Sequence, residues 1–180
     1  MQTQDYFRSI SVLRERMLRD NKLTVLHAHR LWVASFAWAA PAPMQSVTDV
    51  ERQMGRKLPE DLALFLTSAS DGAVLYRNIA DAMTGYRIFG IGEFIEEQER
   101  WQRSLEGLWL PQFIAIGEIT SENRPLIMDV NSPSKDGRSC MLMEGNVYDP
   151  VAHWLKLSQS FHEWIDRLVT AQGAQYWLWR

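Results

Sequence analysis

Apolar residues recur at helical spacing in the first part of the chain. Between residues 5 and 19 they form one stripe and arginines occupy the other side, which predicts an amphipathic helix. Residues 23–38 fit helical spacing less well but contain few β-branched residues, and we interpret them as a second helix. The prolines at positions 41 and 43 then end any helix.

A third helix is predicted just after these prolines. Thr48 and Glu51 have the spacing of a capping box, and Ser46 is an alternative cap. Gly55 stands where this helix ends.

The stretch LPEDLALFLTSASDG, residues 58–72, predicts a fourth helix. Pro59 suits the first helical position, and the acidic residues after it favour the positive end of the helix dipole. Gly72 is free to adopt the positive φ of a helix end. The two short helices form a helical hairpin.

After residue 72 the pattern changes to short apolar runs bounded by Gly, Asp and Asn, which is typical of strands. Helical spacing returns once, at residues 93–105. The segment NSPSKDG is a strong turn signal before the last strand. The strands are predicted at residues 73–79, 86–91, 113–117, 125–130 and 139–144.

The chain closes with another helix. Ser160 and Glu163 repeat the capping-box spacing, an apolar stripe follows, and Gly173 ends it. The order of elements predicts one α+β domain over residues 1–180. We expect N-terminal helices, a central, mostly antiparallel sheet of short strands, and a C-terminal helix packed on the sheet.

Composition narrows the classes of function. The net charge of -3 gives no electrostatic reason to expect nucleic acid or an anionic membrane as partner. The single cysteine excludes an intrachain disulfide and favours a reducing compartment. No apolar run has the length of a membrane span, and the N-terminus lacks the apolar core of a signal peptide, so we expect a cytoplasmic protein.

The residue types that carry chemistry give no case for an enzyme. Gly90 and Gly92 lack the third glycine of a dinucleotide loop, so a strand-to-helix turn is expected there. His27 and His29 would share one side of a strand and suit a metal, but they diverge on the helix that we favour. Cys140 lies in an apolar strand and is expected to be a buried, inert thiol. We therefore expect no catalytic residues, no cofactor and no metal.

The order of these elements resembles the SUKH superfamily, also called the Smi/Knr family after yeast cell-wall-assembly regulators. The resemblance covers about residues 40–170 and makes residues 1–39 a helical N-terminal extension. It rests on Glu51 in the early helix, Leu58-Pro59-x-Asp61-Leu62, Phe65-Leu66, Asp71-Gly72, Ile116-Gly117 and Ser160-Phe161-x-Glu163-Trp164-Ile165.

Two positions depart from the family pattern. Asp71 stands where the family usually has Asn, and both residues tolerate turns. The segment EITSENRP, which begins after Gly117, lacks the glycine-rich hairpin common at this place. The strand register there stays open.

The resemblance implies an α+β domain without a shared catalytic constellation. Many bacterial members look like immunity proteins that neutralise toxins, and others are regulators that act through protein contacts. We expect a bacterial immunity protein that binds and occludes a cognate toxin, with no nucleic-acid or membrane partner. The alternatives are a regulatory or scaffold domain without a toxin, or a small-ligand-binding protein or enzyme. The oligomeric state stays open.

Two groups of residues are candidates for the partner-binding surface. Glu93, Glu96 and Glu97 form an acidic cluster that could steer a basic partner. The same charges also fit a solvated helix face with ion pairs Glu96–Arg100 and Glu99–Arg103. Exposed aromatic residues make strong interface anchors, and the candidates are Trp101, Trp109 and Trp154, which sit near turns or polar runs.

Overall fold

One antiparallel sheet organises the described part of the chain, and its eight strands lie side by side in the order in which they occur in the sequence. The computed structural model describes residues 7–17, 20–27, 30–80 and 84–178. The α-helices of this part are α1 (Arg8–Arg16), α2 (Met44–Met54), α3 (Glu60–Leu64), α4 (Phe94–Ser104) and α5 (Phe161–Thr170). The strands are β1 (Lys22–His27), β2 (Arg30–Trp38), β3 (Ala73–Asn78), β4 (Tyr86–Ile88), β5 (Phe113–Ile119), β6 (Arg124–Pro133), β7 (Cys140–Glu144) and β8 (Leu155–Ser158).

The helix predicted for residues 23–38 is wrong, because this segment forms the hairpin β1–β2. Exposure alternates along β2: Leu31 and Val33 are exposed, whereas Ala34 and Phe36 are buried. Apolar residues on both sides of the strand hide this period of two in the sequence. Pairing with β3 and burial of one face outweigh the weak local helix propensity.

The other strand predictions are confirmed, with boundaries that differ by a few residues. Strand β8 was not predicted, because its four residues Leu155–Ser158 are too few to show a clear alternation of apolar and polar residues. The turn predicted before the last strand connects β6 to β7. Asn123 supplies a positive φ of 49° in the β5–β6 hairpin, so the register forms without the glycine-rich turn.

Helix α2 begins earlier than its sequence pattern predicts. It starts at Met44 after Pro43, and no side chain caps its first turn. The capping box at Thr48 and Glu51 is therefore wrong. The buried carboxylate of Glu51 instead accepts a hydrogen bond from the backbone N–H of Leu58 at 3.0 Å. It fixes the link between α2 and α3.

The stretch 58–72 forms a helix as predicted, with two differences in detail. Pro59 lies just before the first helical residue, and the helix closes with a π-helical turn at Phe65–Ala69. Gly72 has φ +83°, and a Cβ atom there would meet the backbone nitrogen of Gly90 at 2.8 Å. A glycine is required at this contact for both reasons.

Helix α5 packs on one face of the sheet with α1 and α3, as predicted for the C-terminal helix. The rings of Phe7, Phe65 and Phe161 meet edge to face, with centroids 5.2 to 6.4 Å apart. Tyr86 of β4 contacts Trp164 of α5 at 5.8 Å. These aromatic contacts form the centre of the core.

Two side chains cap the N-terminus of α5. The hydroxyl of Ser160 accepts from the N–H of Glu163 at 3.0 Å, so this predicted cap is confirmed. Asp61 of α3 is 1% exposed, and its carboxylate accepts from the N–H groups of Leu62 at 2.9 Å and His162 at 3.0 Å. Burial raises the pKa of Asp61, and the hydrogen bonds that it accepts partly offset this effect.

The Ile-Gly pair of β5 marks a close approach between strands. Gly117 lies opposite Ile88 of β4. A Cβ atom at position 117 would overlap the carbonyl oxygen of Arg87. Glycine at this position allows β4 and β5 to pair at this distance.

Helix α4 covers the opposite face of the sheet, but only in part. Successive residues of a strand point to opposite faces, so Arg87 points away from Tyr86 and α5. It forms an ion pair with Glu97 of α4. The neighbouring surface of β1, β2 and β3 on this side carries exposed side chains, and we call it the open face.

Candidate functional site

A row of apolar side chains lies exposed on the open face. Leu26 and Leu31 lie directly opposite each other on β1 and β2, and Val33 is two residues further along β2. Ile79 follows β3, and its N–H donates to the carbonyl oxygen of Val33 at 3.1 Å. The exposed fractions of Leu26, Leu31, Val33 and Ile79 are 58%, 72%, 41% and 48%. We call these four residues the apolar row. Adjacent exposed apolar side chains of this kind are typical of an interaction surface.

Basic residues border the apolar row on the same face. Lys22, Ser35 and Arg77 occupy directly opposed positions on β1, β2 and β3. The hydroxyl of Ser35 donates to the carbonyl oxygen of Arg77 at 3.1 Å. Lys22 and Arg77 are exposed, so their charges are available beside the row.

A groove of about 550 Å³ lies next to this basic border. Its floor is formed by the opposed residues Ala37, Val74 and Arg87 of β2, β3 and β4. Asp71 lines one end, and its carboxylate accepts from the N–H of Ile91 at 2.6 Å. This bond fixes the loop before α4.

A network of five charged side chains connects the groove to α4. Arg87 pairs with Glu93, with Glu97 at 3.2 Å and with Glu118 at 3.3 Å. Arg100 pairs with Glu97 at 2.6 Å and with Glu118 at 2.5 Å. Each arginine thus shares Glu97 and Glu118 with the other.

The network has a fixed geometry because its shared acids are mostly buried. Burial alone would lower the pKa of Arg87, but the carboxylates around it more than offset this and raise the pKa above its usual value. The pKa of Arg100 is raised in the same way, with Glu118 and Glu97 opposing the effect of burial. With three carboxylates and two guanidinium groups, the network carries one net negative charge.

The structure brings only part of the predicted acidic cluster to the groove. Glu93 and Glu97 join the network, whereas Glu96 is exposed on α4 beside it. The predicted ion pair Glu99–Arg103 is present at 3.6 Å. Arg100 pairs with Glu97 and Glu118 rather than with Glu96.

The expectation of exposed tryptophans is wrong for two of the three residues. Trp101 is 1% exposed on the inner side of α4, and Trp154 is 5% exposed. The indole N–H of Trp154 donates to the carbonyl oxygen of Asn146 at 3.0 Å. Trp109 is partly buried, with its ring 6.0 Å from that of Phe113. Nearness to a turn does not indicate exposure, since an indole is large enough to reach back to the core.

The open face was missed because residues 23–38 were interpreted as a helix. The one signal in the sequence is the recurrence of aromatic residues at even positions, Trp32, Phe36 and Trp38, which fits the period of two of a strand.

The other residues considered for chemistry either lie in the core or in a turn, or lie outside the described part of the chain. Cys140 is buried as expected, and burial raises its pKa to about 12. Gly90 and Gly92 lie in the turn between β4 and α4. His29 and the side chain of His27 lie outside the described residues. Among the described residues, no three His, Cys, Asp or Glu side chains come together in a group that could hold a metal ion.

Residues 41–167 match the SMI1 / KNR4 family (SUKH-1). The chain belongs to this family. The SUKH family includes toxin immunity proteins, and its members bind partners. The chain is also 28% identical over 144 residues to the uncharacterized protein YnaB of Bacillus subtilis (strain 168). The aligned residues cover 80% of this chain and 88% of YnaB. None of the helices in the described ranges is long and apolar enough to cross a membrane.

The range that matches the SUKH-1 family contains the charge network and most of the groove, but neither the hairpin β1–β2 nor the wall of the groove at residues 37–39. The family motif residues Asp61 and Gly117 cap a helix and allow close strand pairing. They therefore support the fold. Three of the four residues of the apolar row lie outside the matched range, at positions 26, 31 and 33.

Proposed function

We propose that the protein is an immunity protein that neutralises a cognate toxin by binding it with the open face and occluding the toxin's active site. The observation that carries the proposal is the apolar row, exposed beside a groove with a fixed charge network. Membership of a family that includes immunity proteins supports the same conclusion.

The open face has the components of a protein interface. Burial of each side chain of the apolar row would contribute on the order of 1 kcal/mol, because each is now about half exposed or more. Lys22 and Arg77 occupy opposed positions on β1 and β3 through Ser35, and Glu93 lines the groove. A partner with complementary charges would bind in one orientation.

Co-expression tests this proposal. A bacterial strain would produce the toxin encoded beside this gene, with and without the protein. We expect growth to be restored and the two proteins to purify as one complex. Absence of a neighbouring toxin, or growth arrest despite production of the folded protein, would refute the immunity function.

A pair of variants tests the open face itself. Leu31→Glu places a charge in the apolar row, and we expect affinity for the toxin to fall about a hundred-fold or more, which corresponds to roughly 3 kcal/mol. The matched control is Tyr148→Glu, since Tyr148 is 90% exposed and lies between β7 and β8, at the other end of the strand order. Equal affinities of the two variants would show that the partner binds elsewhere. A complex with a partner that is not a toxin, lost in Leu31→Glu, would favour a regulatory domain.

A further inference from the structure

Two cations of the open face lack a partner within the protein. In the described ranges, the side chains of Lys22 and Arg77 form neither an ion pair nor a hydrogen bond. They flank Ser35 on the neighbouring strands, and adjacent strands lie about 5 Å apart. One anionic group placed over Ser35 is therefore within reach of both long side chains.

The carboxylates of the neighbouring groove, in contrast, are engaged. Asp71 accepts from the N–H of Ile91 at 2.6 Å. Glu93 accepts from the N–H of Gly90 at 3.1 Å and pairs with Arg87. A cation of a partner would compete with these internal donors for the carboxylates. An anion of a partner would meet no such competition at the two free cations of the open face.

The N-terminal segment also differs in charge from the rest of the chain. Its first 40 residues contain six Lys and Arg but three Asp and Glu, whereas the whole chain has a net charge of -3. Strands β1 and β2, with Lys22 and three members of the apolar row, belong to this segment and precede the range that matches the SUKH-1 family. The part of the open face outside the matched range is thus apolar and basic.

We propose that the open face binds an acidic and apolar surface of its protein partner. A carboxylate of the partner lies over Ser35 between Lys22 and Arg77, and apolar side chains of the partner cover the apolar row. Val33 and Ser35 are two positions apart on one strand, so these two contacts are about 7 Å apart. The inference rests on the proposed function and names the chemistry of the partner. It is opposite in charge to the basic partner that the acidic cluster would steer.

A protein fits this surface better than a nucleic acid, the other common anionic partner. A nucleic acid carries a phosphate at every nucleotide, and affinity for it grows with the number of cations that contact these phosphates. The open face offers two free cations beside four exposed apolar side chains, which a phosphate backbone would leave without apolar contacts.

Calorimetric titration with the toxin of the co-expression experiment tests the inference. We expect Lys22→Gln and Arg77→Gln each to weaken the complex about ten-fold. Lys156→Gln is the matched control, because Lys156 is an exposed cation on β8, at the other end of the strand order, and should leave affinity unchanged. Unchanged affinity in the first two variants, or a larger loss in Glu96→Gln, would overturn the inference and leave the immunity function standing.

A second arm does not require the toxin. The 15N-labelled full chain would be titrated with the capped peptide Leu-Leu-Glu-Glu, with Leu-Leu-Gln-Gln and with Leu-Leu-Lys-Lys, while the amide signals of Thr24, Ser35 and Arg77 are followed. We expect saturable shifts with the glutamate peptide, about ten-fold weaker binding of the glutamine peptide and no binding of the lysine peptide. No shift with the glutamate peptide, or equal binding of the glutamine peptide, would contradict the inference.

A short DNA duplex, added as a competitor, separates the two classes of anionic partner. Displacement of the glutamate peptide by a lower concentration of duplex would assign the face to nucleic acid and overturn the inference. A preference for the glutamate peptide in the absence of any neighbouring toxin would support the acidic contact and refute the immunity function alone.

Discussion

The substitution Asp61→Asn tests whether the fold depends on the cap that α3 supplies to α5. The carboxylate of Asp61 is 1% exposed and accepts from the N–H groups of Leu62 and His162. Asparagine has the same shape but only one acceptor oxygen, and its NH₂ group would face a backbone donor.

The magnitude follows from two opposing effects. A buried donor without an acceptor costs about 1–3 kcal/mol, and the repulsion between two donors adds to this cost. Removal of the buried charge offsets part of this cost, because burial disfavours the charged carboxylate, as the raised pKa of Asp61 indicates. We therefore expect Asp61→Asn to lower the free energy of unfolding by about 2 kcal/mol, or the melting temperature by about 4–8 °C for a chain of this size.

The pH dependence gives the sharper test. The pKa of Asp61 in the folded state lies above its ordinary value of 3.8, so between these two values the folded chain binds more protons than the unfolded chain. The contribution of this group to stability therefore grows as the pH falls. We expect the stability difference between the original chain and Asp61→Asn to widen on acidification from pH 7, because the other acids titrate in both chains and cancel.

Urea unfolding followed by circular dichroism at several pH values measures this difference. Asp49→Asn is the control, since Asp49 is about half exposed and pairs with Arg52 on the surface, where little loss of stability is expected. Equal stability of Asp61→Asn and the original chain, or a difference that narrows as the pH falls, would refute the reasoning about this cap.

Three further predictions concern buried positions. Cys140 should resist maleimide at pH 8 in the folded chain and react after unfolding, because burial raises its pKa from 9.0 to about 12. Its contribution to stability should therefore fall as the pH rises above 9.0, so Cys140→Ala should lose less stability than the original chain over the same rise, with only the buried tyrosines Tyr76, Tyr86 and Tyr176 still contributing a loss. Gly117→Ala should lower the free energy of unfolding by about 3 kcal/mol or more in a urea titration, because its Cβ overlaps the carbonyl oxygen of Arg87. Gly92→Ala is the control, since a Cβ atom there meets no other atom within 4 Å and the backbone has no positive φ. Trp101→Ala should cost about 3–5 kcal/mol of stability, and a loss of partner binding at full stability would instead make Trp101 an interface anchor.

Local sequence signals predicted the elements whose ends are marked by capping or turn residues. The helices at residues 58–72 and 160–173 have an end signal at each side, and the strands between them are short apolar runs between turn residues. The hairpin β1–β2 could not be predicted in this way. Its aromatic and apolar residues lie on both faces, and the strand conformation depends on pairing with β3, which is distant in sequence.

The candidate site was predicted only in part, since the sequence shows charges but not their partners. Glu93 and Glu97, which the sequence placed in an acidic cluster, both pair with Arg87, and their role in partner binding stays a prediction. Glu118 was not, because it reaches the cluster only through the pairing of β4 with β5. The apolar row was missed for the same reason: Val33 and Ile79 become neighbours only through the pairing of β2 with β3.

The order of the strands has a consequence for how the chain folds. Each strand pairs with the strand that precedes or follows it, so the sheet can form by closing one loop at a time, at a modest cost in chain entropy. The contact between α1 and α5 is different, because Ser9 and Asp166 are separated by 157 positions. A low contact order for the sheet and a high one for the two helices lead us to expect that α1 and α5 meet last. Substitutions at this helix contact should therefore accelerate unfolding and leave the folding rate nearly unchanged.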